Sequence, residues 1–332
     1  DIEISEGAPM IEQLRINGAS TLSHLTSSLS DTLVIQDSLL LYGTLALGDN
    51  VLHFNTRNSA KGHLKYFGET SNITGDGVID FDFTGALEDT SSISAPGRDS
   101  ADVITINNLT VRSSSGQTDT LEIAAFVTIT GEFNLGLNGT DSVDVQADSA
   151  LSFNSGYTIK RNGKGQLLGS VYGDATGRLE YSLVSGVADS LVTGNELFSE
   201  ISDLVINLAN TEDTLNLASA VTVNDSVIFT NGEIQNATNL TIGDGGTISI
   251  GSSYDNTVLD GQVNSTGVLN IGMGTAFTID SNLLPTAATK NIVITATTGT
   301  FDIDSSDVTL NNLTIPSGVS YSISEGDTLS IT

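Results

Sequence analysis

The sequence predicts an all-β fold, a parallel β-helix (β-solenoid) built from about three and a quarter long degenerate repeats, and three observations predict it. A phrase returns along the chain: IEQLRI from Ile11, INNLTV from Ile106, ISDLVI from Ile201 and LNNLTI from Leu310. Its central leucines, Leu14, Leu109, Leu204 and Leu313, are separated by 95, 95 and 109 residues, and self-similarity on that scale marks a repeat architecture. Within a copy the apolar period is two, as in VIDFDF, where Ile79, Phe81 and Phe83 share one face and Asp80 and Asp82 the other. The short, β-branched runs end in Gly, Asn or Asp corners.

Each element of a copy has its counterpart in the next. DTLVI at Asp31 returns as DTLEI at Asp119, DTLNL at Asp213 and DTLSI at Asp327. The run Asp31–Gly48 overlies Asp119–Gly136 at a constant offset of 88. VLHFN rhymes with ALSFN, KGHL with KGQL, and TGDGVIDFDF with TGRLEYSL and TGVLNIG. These matches divide one continuous solenoid over 1–332 into approximate repeats 11–103, 104–200 and 201–307 and an incomplete 308–332. SEISDLVINLAN (Ser199 to Asn210) has strand-like partners in the other copies and is read as strand. A coil of about 20 to 25 residues, with two or three strands, would place several coils in one repeat. The alternative is a string of β-sandwich domains, whose size of about 100 residues also matches the period.

Composition narrows the function. Eleven Lys and Arg against 40 Asp and Glu give a formal charge of −29, which repels nucleic-acid phosphates and anionic lipid and attracts cations. Cysteine is absent, which removes disulfides, thiolate nucleophiles and cysteine-based zinc sites. No apolar run reaches the roughly 18 to 20 residues of a membrane helix. The chain begins at Asp1 without a signal-like segment and stops inside its fourth copy, which reads as an excerpt or processed chain continuing end to end. The expected partner is therefore another solenoid segment, by self-association or in a longer polypeptide, with cell-surface glycans second.

Three groups of residues invite a chemical reading. The histidines His24, His53 and His63 read as surface side chains, since the copy of His53 is Ser152. Lys160, Arg161, Lys164 and Arg178 form a basic cluster suited to an acidic glycan, though balancing nearby acids is the plainer reading. Asp80 and Asp82, with Asp302, Asp304 and Asp307, place carboxylates at like-facing strand positions and are weak calcium candidates; a solvated acidic face is the plainer reading. No other cofactor and no catalytic residue is expected. The phrase Asp-[Ser/Thr]-apolar occurs ten times, with hydroxyls at Thr32, Ser38, Ser100, Thr120, Ser142, Ser149, Ser190, Thr214, Ser226 and Thr328. It marks either a turn leading into a strand or an O-glycosylation acceptor.

Phrases such as NNLTI, GDTLSIT, DSLLLYGTLALG and NATNLTIGDGGTISIG resemble the degenerate β-solenoid repeats of large bacterial cell-surface and type IX-secreted proteins. The Asp-[Ser/Thr]-apolar phrase likewise resembles the glycan acceptor of Bacteroidota-type secreted proteins. The resemblance implies an extracellular structural protein, a segment of a surface fibre, filament or adhesin stalk, and not an enzyme. A polysaccharide-binding or polysaccharide-cleaving β-helix is the second expectation and a phage fibre or spike segment the third.

Overall fold

The computed structural model describes residues 10–18, 21–23, 32–55, 62–69, 71–84, 88–97, 102–113, 118–137, 141–182 and 190–250. Beyond these it describes the short segments 259–260, 264–265, 268–272, 276–279, 291–294, 299–303, 308–310, 312–315, 317–323 and 329–331. The chain forms two compact units, 1–173 and 174–332. Both are solenoids of parallel strands, and among the described residues the only helix is the single 3-10 turn Ala237–Asn239. Antiparallel sandwiches are thereby excluded.

In the first unit the coils feed three ladders, and in one coil the single strand Thr32–Leu41 serves the first two. The first ladder stacks the start of Thr32–Leu41 with Val51–Asn55, Val78–Phe83, Asn108–Ser113, Glu132–Gly136 and Thr158–Arg161. The second stacks the end of Thr32–Leu41 with His63–Tyr66, Thr90–Ser94, Thr120–Ala124, Ser142–Val145 and Gln166–Leu168. The third comes in two pieces, Thr21–Ser23, Thr44–Ala46 and Asn72–Thr74, then Ile104–Ile106, Phe126–Ile129, Ala150–Phe153 and Val171–Tyr172. Alternation turns one residue in two toward the axis, so Leu33, Leu52, Ile79, Leu109, Phe133 and Ile159 stack in register, each no more than 1% exposed. Full burial of such side chains stabilises by about 1.5–3 kcal/mol each, before the entropy of ordering the chain is counted. Phe54 and Phe81, paired one coil apart, stack with centroids 4.6 Å apart.

The second unit repeats the plan. One ladder runs through Arg178–Tyr181, Glu200–Asn207, Val221–Asn231, Thr247–Ile250, Val268–Gly272, Asn291–Ile294 and Asn312–Thr314. Beside it stack Ser190–Val192, Thr214–Asn216, Glu233–Gln235 and Leu259–Asp260, and the starts of Glu200–Asn207 and Val221–Asn231 lead into Leu240–Ile242 and Asn264–Ser265. Glu200–Asn207 is a strand, as its repeat partners indicate.

Cross-coil partners are separated by 19 residues (Thr32 to Val51) up to 30 (Val78 to Asn108), a wider spread than the expected coil length. The corners absorb the variation. Gly75, at φ +104°, packs against Gly48 so tightly that an added Cβ would lie 2.5 Å from the Gly48 nitrogen. The buried Asn50 amide donates to the Leu47 carbonyl at 2.8 Å and closes that same corner.

The sequence repeat is out of phase with the coils. Positions 88 residues apart fall one ladder apart: Leu33 in the first ladder answers Leu121 in the second, Leu39 in the second answers Val127 in the third, and Leu45 in the third answers Phe133 in the first. All three faces ask for the same thing, an apolar residue inward and a polar one outward, so a copy can advance by one face without cost.

Candidate functional site

Three of the residues the sequence singled out, His53, Asp80 and Asp82, lie together on the outward row of the first ladder in the first unit. Stacking places LHF (52–54) beside IDF (79–81), so His53 stands beside Asp80. His53 Nδ1 lies 2.8 Å from Asp80 Oδ2. From the following coil Arg112 forks onto the same carboxylate, Nε donating to Oδ1 at 3.2 Å and Nη2 to Oδ2 at 2.9 Å. Arg112 Nη2 also lies 3.2 Å from Asp82 Oδ2. Three successive coils are thus joined through one carboxylate whose side chain is 9% exposed. Burial alone would raise the Asp80 pKa. The hydrogen bonds from His53 and Arg112, and their charge, outweigh burial and hold it below the usual carboxylate value. Burial would likewise lower Arg112, and its bonds to Asp80 overcome that and raise it.

The cation between Asp80 and Asp82 is therefore Arg112, and a calcium ion there would have to displace a guanidinium already held by both carboxylates. Asp302 belongs to the strand Gly299–Ile303, while Asp304 and Asp307 lie outside the described residues. Among the described residues no group of three or more His, Cys, Asp or Glu is placed to hold a metal ion.

The histidine expectation needs correction for His53, whose side chain is only 13% exposed because it packs into the stack beside Asp80. His63 is half-buried and sits 2.8 Å from Ser92 Oγ of the next coil; His24 lies outside the described residues. Of the basic cluster, Lys160, Arg161 and Lys164 belong to the first unit and Arg178 to the second. Lys160 Nζ is 2.6 Å from Glu132 Oε2, Arg161 is 3% exposed with Nη2 donating to the Lys164 carbonyl, and Arg178 lies 3.9 Å from Glu180.

The hydroxyl candidates divide by exposure. Ser190 is exposed at the start of its strand. Thr32, Thr120, Ser142, Ser149, Thr214 and Ser226 are half-buried, and Ser226 donates to Asp203 of the preceding coil. Thr120 Oγ1 and Ser142 Oγ are 3.4 Å apart, too close for both to carry a sugar. Ser38 is 4% exposed and accepts from Gln13 Nε2 at 2.8 Å, which closes it to a bulky substituent. Ser100 and Thr328 lie outside the described residues.

Two arrangements escaped the sequence reading. One is the His53–Asp80–Arg112 linkage, in which the LHF and IDF phrases hint at the first step and nothing in the sequence points to Arg112. The other is the buried Glu196, whose Oε1 accepts from the Gly194 amide at 3.0 Å and from Tyr181 Oη at 3.3 Å; nothing in GNELF signals a carboxylate folded inward. No protein-family profile, curated protein or solved structure matches this chain.

Proposed function

We propose that this chain is an extracellular structural element, a β-solenoid segment of a bacterial surface fibre, filament or adhesin stalk. The observation that carries the reading is how the polar exterior is used: side chains on successive coils bond to one another along the stack. Gln13 bonds Ser38, His53 and Arg112 bond Asp80, and His63 bonds Ser92. In the second unit Asn224 donates to Glu200 at 2.9 Å and Asn236 to Asn216 at 2.7 Å. Polar groups committed in this way stiffen a stack, because each coil is tied to the next outside as well as inside. The acidic surface keeps such elements dispersed and soluble. The resemblance of the NNLTI and GDTLSIT phrases to surface-fibre repeats agrees with this role, and segments of the same kind continuing end to end are the partners it implies.

Antibodies against the chain, applied to intact cells that produce it and imaged by immunogold electron microscopy, should decorate fibres or stalks outside the envelope. Label confined to the cell interior, or on dispersed particles unconnected to any fibre, would overturn the proposal. Turnover of uronates or sulfated glycans by the purified chain would instead favour a polysaccharide-cleaving β-helix.

A further inference from the structure

The Asp-[Ser/Thr] phrase has a use on the inside of the fold. Asp89, Asp119 and Asp141 occupy equivalent positions, each just before a second-ladder strand, and are 2%, 1% and 1% exposed. The Asp89 amide donates to Asp119 Oδ1 at 3.1 Å, and the Asp119 amide donates to Asp141 Oδ1 at 2.9 Å. The return bonds are from backbone to backbone: Thr120 N–H to the Asp89 carbonyl and Ser142 N–H to the Asp119 carbonyl, both 2.9 Å. Ser113 Oγ donates to Asp119 Oδ2 at 2.9 Å. The two steps span 30 and 22 residues, so the aspartate returns to one corner although the coils differ by eight residues in length.

We infer that these aspartates form a directional register lock, in which the carboxylate of each coil fastens the backbone corner of the coil before it. A carboxylate suits the position because a buried backbone amide requires an acceptor and a charged oxygen binds it more strongly than a neutral one. The direction follows from the bonds: Asp141 serves Asp119, and Asp119 serves Asp89. The lock stops where Gly165 takes the place after Asp141, and there the corner is closed by the Gly165 amide on the Leu137 carbonyl at 3.0 Å. Asp213 uses the same phrase differently. Fully buried, it accepts the amide of Asn210 at 2.9 Å within its own turn.

Hydrogen exchange of the full chain, read at single amides by mass spectrometry, tests the direction. Asp141→Ala should speed exchange of the Asp119 amide by roughly tenfold or more while the Asp89 amide keeps its protection. Asp119→Ala should release the Asp89 amide by a similar factor. Asp141→Asn retains Oδ1 as an acceptor and should leave Asp119 protected to within about threefold, and this variant decides the matter if alanine prevents folding. Unchanged protection in the alanine variants, equal release of both amides by Asp141→Ala, or an asparagine variant as exposed as alanine would each overturn the lock.

Discussion

Two linkages in the first unit each join three consecutive coils, and they do so by opposite means. At the second-ladder corner Asp89, Asp119 and Asp141 are buried and bind backbone amides. On the first-ladder exterior His53, Asp80 and Arg112 bind one another side chain to side chain, with Arg112 half exposed. The first fixes where the main chain turns and depends on geometry. The second lies over a register already set by Phe54, Phe81 and their neighbours, and depends on charge. The first holds one corner in place while the coils change length by eight residues, and the second adds strength at the surface.

The largest expected effect is Asp119→Ala, which removes the carboxylate that accepts from the Asp89 amide and the Ser113 hydroxyl. It should cost about 2–4 kcal/mol in chemical denaturation, nearly independent of salt. Equal sensitivity to salt in the two linkages would erase the distinction between them. Next comes Arg112→Ala, at about 1 kcal/mol once solvent screening of the half-exposed guanidinium is allowed for, with the loss shrinking as salt rises.

Asp80 gives a pH signature. Its folded pKa lies below the ordinary carboxylate value, so the folded state binds the proton less readily than the unfolded chain does. The stability difference between the wild-type chain and Asp80→Asn should therefore be fully present above about pH 4 and shrink as pH falls below that. A difference that grew on acidification would contradict the pairing. The smallest effect is Ser142→Ala. It removes a half-buried hydroxyl beside Thr120 and leaves the lock intact, so the unfolding midpoint should move by less than about 0.5 kcal/mol.

The fold was legible because its signal is local. Alternation in VIDFDF and VLHFN and the Gly and Asn corners each report on a few adjacent residues, and together they specify stacked parallel strands. The phase of the repeat was not legible, since Leu33 and Leu121 satisfy the same inward demand from different ladders. Cross-coil partners were hidden for a related reason. With coil spacings from 19 to 30 residues, no fixed count leads from Asp80 to Arg112. The Asp-[Ser/Thr] phrase was visible, but its meaning divides. At Asp119 and Asp141 the carboxylate serves the coil before it, and at Asp213 its own turn; sequence displays the phrase without showing which amide it meets.

Coil-on-coil stacking, tied inside and out, is the proposed contribution of this chain to a surface fibre. Cryo-electron images of native fibres that contain it test this most directly. Such images should show a repeat of about 4.8 Å along the fibre axis, the spacing of successive coils whose strands lie across it. Fibres lacking that spacing, with the chain present as separate compact particles on their flanks, would contradict it.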